Sequence, residues 1–235
     1  MRGVTAAKAC CYTLGPVHGA FQGRVRCWPV FLRLEGEPDA AVLDMLAPVE
    51  RQELRRLRQR DDRLRYAATR AALRQILARE YGLPPPLNIA RNASGKPMLA
   101  DAAGLDFNVS HAGARALIAV TRAGQVGVDV EKTVPLQLAG LAELVCTSLE
   151  QAGLARLPVP ARQVEFFRLW VGKEAVLKSV GLGIAGEHMP LLALQDDGSV
   201  QAQAPLPFDV AHIQLEMLPI ANGYCAAVAL SSARH

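Results

Sequence analysis

This sequence of 235 residues is poor in several features that mark particular classes of protein. Its five cysteines are an odd, scattered set without a CxxC pair, which argues against a disulfide framework and against a zinc site. Aromatic residues make up 5% of the chain, too few for base-stacking platforms. No apolar run approaches the roughly 20 residues of a membrane helix, and Lys8 interrupts the N-terminus before a signal-peptide core can form. We therefore expect a cytoplasmic protein with reduced thiols, no membrane span and no nucleic-acid partner.

Hydrophobic residues make up 51% of the chain and charged residues 20%, a composition typical of a folded globular protein. Positive charge is concentrated in one segment. Residues 50–80 include ten arginines and five acidic residues, whereas the whole chain has 26 basic and 22 acidic residues, a formal charge of +4. Such a local excess favours an anionic ligand or an acidic partner, although most arginines of such a segment ordinarily form a solvated face.

Hydrophobic periodicity predicts an α+β protein with two similar halves. In each half a strand comes first, a long helix follows and several short strands come last. The predicted helices cover residues 39–46, 50–81, 136–145, 149–155 and 161–180. The predicted strands cover residues 30–34, 87–90, 105–109, 116–121, 126–130, 191–195, 200–204, 213–217 and 224–230.

The predicted domain boundaries follow from this order. Residues 1–23 are treated as an N-terminal extension of uncertain order, 24–122 as the first α+β half and 123–235 as the second. No repetition of individual residues is visible between the halves. The loop at 122–125 is expected to separate them, and the crevice between them is expected to hold the active site.

Asp129 and Glu131 lie two residues apart in the predicted strand 126–130. Both carboxylates are therefore expected on one face of the strand, while Val128 and Val130 enter the core. Neighbouring carboxylates repel each other, and a hard divalent cation such as Mg²⁺ relieves the repulsion. Two solvated acids at an exposed strand end are the alternative and, without further evidence, the commoner arrangement.

Glu174 and Lys178 are four residues apart in the predicted helix 161–180 and share one helix face. A carboxylate from a helix beside the strand would complete a metal site, and a lysine one turn away would neutralise phosphate oxygens. An ordinary surface ion pair of about 0.3–0.5 kcal/mol is the alternative. Ser110 and His111, at a strand end, offer hydrogen-bond donors to a phosphate.

Four motifs stand in a fixed order along the chain: GKP at 95–97, FNVSHAG at 107–113, VGVDVEK at 126–132 and FFRLWVGKEAVLKSVGLGI at 166–184. Their order and spacing resemble those of the Sfp-type 4′-phosphopantetheinyl transferases. The segment RDDRLRYAATRAALRQIL at 60–77 also resembles the long first-half helix of that family. The resemblance covers about residues 25–230, nearly the whole chain.

The resemblance implies a monomer whose two α+β halves are related by a pseudo-twofold axis, with the active site at their interface. It implies transfer of the phosphopantetheine arm from coenzyme A to a serine of an apo acyl or peptidyl carrier protein, with release of 3′,5′-ADP. Mg²⁺ is the implied metal and Mn²⁺ the alternative. Fatty-acid, polyketide and peptide carriers all remain open as partners.

The resemblance also assigns roles to individual residues. Asp129, Glu131 and Glu174 match the metal-binding carboxylates. Glu174 also matches the proposed general base, and Lys178 the residue that neutralises charge at the diphosphate, so these two and Asp129 are the predicted catalytic residues. The residues implied to bind coenzyme A are Arg51, Arg65, Lys96, Ser110, His111 and Lys178.

The match departs from the family pattern before the long helix, where the sequence Glu50-Arg51-Gln52-Glu53 replaces the expected lysines. Two other classes of function stay open at this point. An arginine helix that grips nucleic acid is opposed by the low overall charge and the missing RNA- and DNA-binding motifs. A nucleotide-dependent phosphotransferase is opposed by the missing Walker and kinase glycine patterns. An inactive relative is the third alternative, although every acidic position is filled.

Overall fold

The computed structural model describes residues 11–83, 85–92, 95–100, 104–182 and 186–232. They form a mixed structure of helices and strands, as predicted. The strands are β1 Tyr12–Leu14, β2 His18–Ala20, β3 Val25–Leu32, β4 Ile89–Arg91, β5 Pro97–Leu99, β6 Asp106–Ala112, β7 Arg115–Thr121, β8 Gln125–Lys132, β9 Leu192–Leu194, β10 Val200–Ala202, β11 Ile213–Met217 and β12 Tyr224–Ser231. The helices are α1 Ala40–Met45, α2 Pro48–Arg56, α3 Arg60–Tyr81, α4 Leu138–Val145, α5 Ser148–Arg156 and α6 Val159–Ser179, and residues Gly186–Leu191 form a 3₁₀ helix.

The described residues divide into two compact units, one within residues 11–15 and 30–87 and one within residues 16–29 and 88–232. This division differs from the predicted halves 24–122 and 123–235, whose pseudo-twofold relation stays a prediction. No helix among the described ranges is long and apolar enough to cross a bilayer.

Helices α1 to α3 belong to the first unit. The predicted single helix 50–81 is wrong, because α2 ends at Arg56 and α3 begins at Arg60. The connection adopts extended angles, with ψ of 120° at Leu57 and 134° at Gln59, and the acidic first turn of α3 favours a new helix start. Gly82 ends α3 in a left-handed conformation, as its position after the helical pattern predicts.

The fold begins earlier than the predicted start near Arg24. Strand β1 pairs with the end of β3, and β2 pairs with its beginning, both antiparallel. Much of the predicted N-terminal extension is therefore part of a sheet, whereas residues 1–10 lie outside the described residues. Three-residue strands of this kind are too short to show alternation in the sequence.

In the second unit, α6 lies across a sheet in which β12 pairs with both β8 and β11. The side chains of β8 alternate between two cores. Val126, Val128 and Val130 are buried in a core with β7 and β12 side chains, while the opposite face of β8 meets α6. At Gly127 the two backbones nearly touch, because an added Cβ would lie 2.0 Å from the carbonyl oxygen of Ala175. Glycine at this position is what allows α6 to approach the strand so closely.

The two long helices and the short helices before them repeat the same contacts. The Oε2 of Glu50, in the first turn of α2, accepts the N–H of the residue that caps α2, and the Oε2 of Glu150 does the same for α5. Arg74 donates to Glu50 at 2.9 Å, and Lys173 donates to Glu150 at 2.5 Å. Both cations are the fifteenth residue of their long helix, α3 and α6. A residue-level repeat that the sequence does not show is therefore present in the contacts.

Candidate active site

The carboxylates of β8 stand where the sequence places them, but they are less exposed than two solvated acids would be. Asp129 is only 1% exposed and Glu131 is half-buried. Val128 and Val130 on the opposite face are buried in the core, as predicted. The alternative of two solvated acids is therefore wrong for Asp129.

Strand β6 holds β8 through polar side chains at every second residue. The side-chain oxygens of Asp106, Asn108 and Ser110 accept the backbone N–H groups of Val126, Val128 and Val130, at 2.7, 2.9 and 3.4 Å. Alternating side chains of one strand thus take the place of backbone acceptors along the next. The arrangement fixes the backbone of β8 on both sides of Asp129.

Ser110 also contacts Asp129 directly. Its hydroxyl donates to Oδ1 of Asp129 at 2.8 Å, and both side chains are buried. The sequence predicts a phosphate-binding role for Ser110, and the structure adds the orientation of a carboxylate. Asp129 Oδ2 is buried without a hydrogen-bond partner, so one oxygen of this carboxylate is left for another ligand.

Helix α6 brings Glu174 and Lys178 to the same place. The Nζ of Lys178 lies 2.5 Å from Oδ1 of Asp129 and 3.1 Å from Oε2 of Glu174. Glu174 is 5% exposed, so the alternative of an ordinary surface ion pair is wrong. Two carboxylates from different elements therefore share one ammonium group, and the side chains of Ser110, Asp129, Glu174 and Lys178 form one cluster.

Burial and mutual charge shift the pKa values of this cluster. Burial raises the pKa of Asp129, and Glu174 raises it further against the opposing effect of Lys178. Burial, followed by the charges of Asp129 and Glu174, raises the pKa of Glu131 to about 7. Burial by itself would lower the pKa of Lys178, but the two carboxylates raise it. The site therefore has excess negative charge that favours a bound cation.

A divalent cation fits this donor set in part. Nowhere in the described ranges do three histidine, cysteine, aspartate or glutamate side chains stand close enough to hold one ion. Mg²⁺, however, ordinarily takes one or two carboxylates together with substrate phosphates. Asp129, with its unpartnered buried oxygen, and Glu174 provide two carboxylates, and Glu131 adds a third negative charge nearby.

The other predicted ligands of coenzyme A are found in different surroundings. His111 lies at the exposed end of β6, next to Ser110. The Nζ of Lys96 is bonded to Asp106 at 2.8 Å and to the carbonyl of Val126 at 2.9 Å, so it links β6 to β8. A structural role for Lys96 is therefore visible beside the predicted one.

Arg51 and Arg65 belong to the first unit. Arg65 is paired with Asp61 and Asp62 within α3, and Arg51 bonds the carbonyl of Leu46 from α2. Both arginines therefore form polar contacts within the first unit.

Sequence reasoning missed the polar residues that support the cluster. Asp106 and Asn108 alternate with apolar residues in β6, and this alternation was the signal for a polar face. Trp170 donates from Nε1 to Oε1 of Glu174 at 2.7 Å. The signal here was its position four residues before Glu174, on the same face of a helix.

Comparisons with known proteins identify the family of the chain. A family model described as the 4′-phosphopantetheinyl transferase superfamily matches residues 125–229, and a model of the N-terminal part of 4′-phosphopantetheinyl transferases matches residues 38–123. The 4′-phosphopantetheinyl transferase HetI of Nostoc sp. is 34% identical over 203 residues, which are 83% of this chain and 84% of the relative.

Two further relatives have the same type of name. The 4′-phosphopantetheinyl transferase ffp of Bacillus subtilis is 27% identical over 177 residues, 73% of this chain and 77% of the relative. The 4′-phosphopantetheinyl transferase AcpT of Escherichia coli O157:H7 is 32% identical over 161 residues, 68% of this chain and 74% of the relative. The chain belongs to the 4′-phosphopantetheinyl transferase superfamily, and the predicted family and enzyme class are confirmed.

Proposed function

We propose that this chain transfers the 4′-phosphopantetheine arm of coenzyme A to a serine hydroxyl of an apo acyl or peptidyl carrier protein and releases 3′,5′-ADP. The observation that carries the assignment of residues is the shared position of Lys178 between the carboxylates of Asp129 and Glu174. Family membership supplies the reaction, and the cluster supplies the groups that the reaction needs.

In this reaction the serine oxygen forms a bond to the phosphorus that carries the pantetheine arm. The bond from that phosphorus to the bridging oxygen of the diphosphate breaks, and 3′,5′-ADP leaves. Glu174 accepts the proton of the serine hydroxyl. Lys178 neutralises the negative charge that develops on the diphosphate oxygens as the bridging bond breaks.

Asp129, Glu131 and Glu174 are the residues that would hold Mg²⁺ or Mn²⁺, and the partnerless oxygen of Asp129 supports this role. When bound, the ion supplies a positive charge for the diphosphate. The chain's own contribution is to keep the carboxylates fixed, through Ser110 at Asp129 and through Lys178 at both Asp129 and Glu174.

The remaining groups of coenzyme A are assigned to the predicted cationic and hydroxyl side chains. His111 is proposed to bind the 3′-phosphate, with Ser110 and Lys96 at the same end of the molecule. Arg65 and Arg51 extend this set. The exposure of His111 supports its assignment, because a phosphate needs an accessible donor.

We also propose that the halves 24–122 and 123–235 are related by a pseudo-twofold axis and form the active site at their interface. The repeated ion pairs, Arg74 with Glu50 and Lys173 with Glu150, support a common plan for the halves. The bond from Ser110 to Asp129 joins residues from both halves.

The carrier protein is proposed to meet the basic part of the first unit. Arg55, Arg56 and Arg58 are exposed where α2 ends, and an acidic carrier helix complements them. Reversing these three charges is expected to lower the transfer rate and to flatten its dependence on salt, because electrostatic steering is screened by ions. A rate that does not change with salt in the unaltered protein would contradict steering. The protein is proposed to act as a cytoplasmic monomer.

The proposed function is tested by intact-mass spectrometry of an apo acyl carrier protein incubated with this protein, coenzyme A and Mg²⁺. We expect the carrier to gain about 340 Da, the mass of one phosphopantetheine group added by phosphoryl transfer. The gain should be absent with EDTA, and with Glu174→Gln it should accumulate far more slowly than with the unaltered protein. No gain on acyl and peptidyl carriers, with the protein folded and coenzyme A present, would contradict the proposal.

A further inference from the structure

Trp170 donates a hydrogen bond to Glu174, the proposed general base, and the family resemblance assigns no role to this tryptophan. Its indole N–H donates to Oε1 of Glu174 at 2.7 Å, while Oε2 of Glu174 faces Lys178 at 3.1 Å. The two oxygens of one carboxylate are thus held by two different donors on the same helix. A carboxylate held at both oxygens has its plane and its side-chain rotamer fixed.

The indole is itself held by two neighbouring rings. The ring of Phe167 lies parallel to it, with centroids 6.0 Å apart and an angle of 2° between the planes. The ring of Phe166 meets it edge-on, at 5.6 Å and 74°. Phe166 and Phe167 are both buried, so Trp170 is packed rather than free to rotate, and its N–H is a preorganised donor.

The chemistry of indole suits a positioning group at this site. Its nitrogen donates one hydrogen bond, accepts none and does not ionise near neutral pH. It therefore neither competes with Glu174 for the serine proton nor ligates a metal. Its bond to Oε1 directs Oε2 toward Lys178 and Asp129.

The other long helix provides a comparison within the same chain. Trp170 and Glu174 are residues 12 and 16 of α6, and the residues at these places in α3 are Ala71 and Gln75. Tryptophan is thus present where the carboxylate is present and missing where it is missing. The buried cation at residue 15 is kept in both helices, so the tryptophan belongs with the carboxylate rather than with the helix scaffold.

We infer that Trp170 is a positioning residue, which orients the carboxylate of Glu174 for proton transfer by donating its indole N–H to Oε1. This inference rests on the proposed function. It concerns the contribution of one hydrogen bond, and it is separate from the packing of the indole ring in the core.

Nuclear magnetic resonance of the ¹⁵N-labelled protein in EDTA tests the contact itself. The chain has two tryptophans, so the spectrum contains two indole N–H signals, and Trp28→Phe identifies the one from Trp170. We expect the Trp170 signal to lie downfield and to move upfield in Glu174→Ala, because the carboxylate acceptor is then lost. Gln75→Ala, at the matching place in α3, should leave it unmoved. An unmoved signal in Glu174→Ala would overturn the inference.

Kinetics of an isosteric variant then separate the hydrogen bond from the ring. Benzothienylalanine at position 170 keeps the bicyclic shape and replaces the N–H by sulfur, whereas Trp170→Phe removes both the N–H and part of the ring. We expect both variants to lower kcat by roughly 10- to 100-fold, the effect of a hydrogen bond to a charged group. KM for coenzyme A should change little, and Trp28→Phe should keep the normal kcat.

The outcomes are distinguishable. A benzothienylalanine variant with the normal kcat would overturn the role of the N–H and leave only packing, even where Trp170→Phe is slow. A fall in kcat with the isosteric variant, together with the shifted indole signal, would support the inference. A folded unaltered protein that transfers nothing would contradict the proposed function, and the role of Trp170 in transfer would fall with it.

Discussion

Helices α3 and α6 have the same place in the order of elements, nearly the same length and a buried ion pair to the preceding short helix. Only α6, however, carries a carboxylate and a lysine of the candidate catalytic cluster. At residue 15 both helices have a cation, Arg74 or Lys173. At residue 16 they differ, because Gln75 accepts a hydrogen bond from Tyr12 whereas Glu174 faces Lys178 and Trp170. In each helix, residue 15 pairs with the preceding short helix, whereas residue 16 determines whether a carboxylate joins the candidate active site. Adjacent residues therefore have separable structural and catalytic roles.

The largest expected effect on the transfer rate comes from substituting residue 16 of α6, and the control is a substitution of residue 16 of α3. Glu174→Gln keeps the size of the side chain and removes its negative charge, so the serine proton loses its acceptor. We expect the transfer rate to fall by about 10² to 10⁴, measured as carrier protein modified per minute. The matched change Gln75→Ala in α3 should leave the rate near normal. Equal losses in both variants would contradict the separation of scaffold from chemistry.

The next effect comes from residue 15 of each helix, which is paired with a glutamate of the preceding short helix. Burial lowers the pKa of Lys173, and Glu150 opposes this shift. The buried positive charge of Lys173 therefore depends on the carboxylate of Glu150. Lys173→Met leaves Glu150 without its cation, and we expect it to lower the free energy of unfolding by about 3–5 kcal/mol. Arg74→Met should cost less, because Arg70 remains 3.8 Å from Oε1 of Glu50. Urea unfolding followed by circular dichroism measures both losses.

A double variant separates the lost pair from lost packing. Glu150→Gln combined with Lys173→Met removes both charges but leaves an amide oxygen to accept the N–H of Thr147 at the start of α5. This double variant should recover most of the stability, since replacing a whole buried ion pair by uncharged groups is often nearly neutral. A double variant as unstable as Lys173→Met alone would contradict the ion-pair explanation.

Some elements of the fold could be predicted from the sequence. The elements and contacts that could not be predicted have physical reasons. Strand β11 has the predicted bounds 213–217, because alternation over five residues is a clear signal. The break between α2 and α3 was missed because the apolar spacing continues from Leu54 through Leu57 to Leu64. The buried state of Lys173 was missed because lysine is ordinarily exposed, and its partner Glu150 is 23 residues away.

The grouping of the acidic residues in the candidate site was predicted from local periodicity. Asp129 and Glu131 are two residues apart, and Glu174 and Lys178 are four apart, so local periodicity shows which side chains share a face. The contacts from Ser110 to Asp129 and from β6 to β8 join distant segments. No local pattern gives the register between such strands.

A smaller effect is expected where β8 meets α6. In Gly127→Ala the added methyl group would lie 2.0 Å from the carbonyl oxygen of Ala175 and 2.4 Å from the amide nitrogen of Ser179, so α6 must move. We expect a loss of about 1–3 kcal/mol in unfolding free energy and a lower transfer rate, because Lys178 moves with α6. Cys27 is the third residue of β3, as Gly127 is the third residue of β8, and its side chain is buried. A strand at this place in the order of elements can therefore carry a side chain at its third residue.

Gly140→Ala is the control for the glycine change. An added methyl group at Gly140, within α4, meets no atom within 4 Å. This variant is expected to gain about 0.5–1 kcal/mol, since alanine favours a helix over glycine. Equal effects of the two alanines would show that the strand and the helix tolerate a side chain at Gly127.

The smallest effect is the pH dependence that Glu131 adds to stability, and it distinguishes β8 from β3, where the matching residue Phe31 does not titrate. The pKa of Glu131 is about 7 in the folded protein and 4.5 in its ordinary state. Between these values the folded protein keeps a proton that the unfolded chain has released, so this contribution to stability is complete below about pH 4.5 and is lost as the pH rises to 7. Glu131→Gln should therefore flatten the unfolding free energy against pH in EDTA, whereas Glu143→Gln on the exposed face of α4 should not. Parallel pH profiles for Glu131→Gln and the unaltered protein would show that the proton is held elsewhere, with the buried Asp129 as the next group to test by substitution.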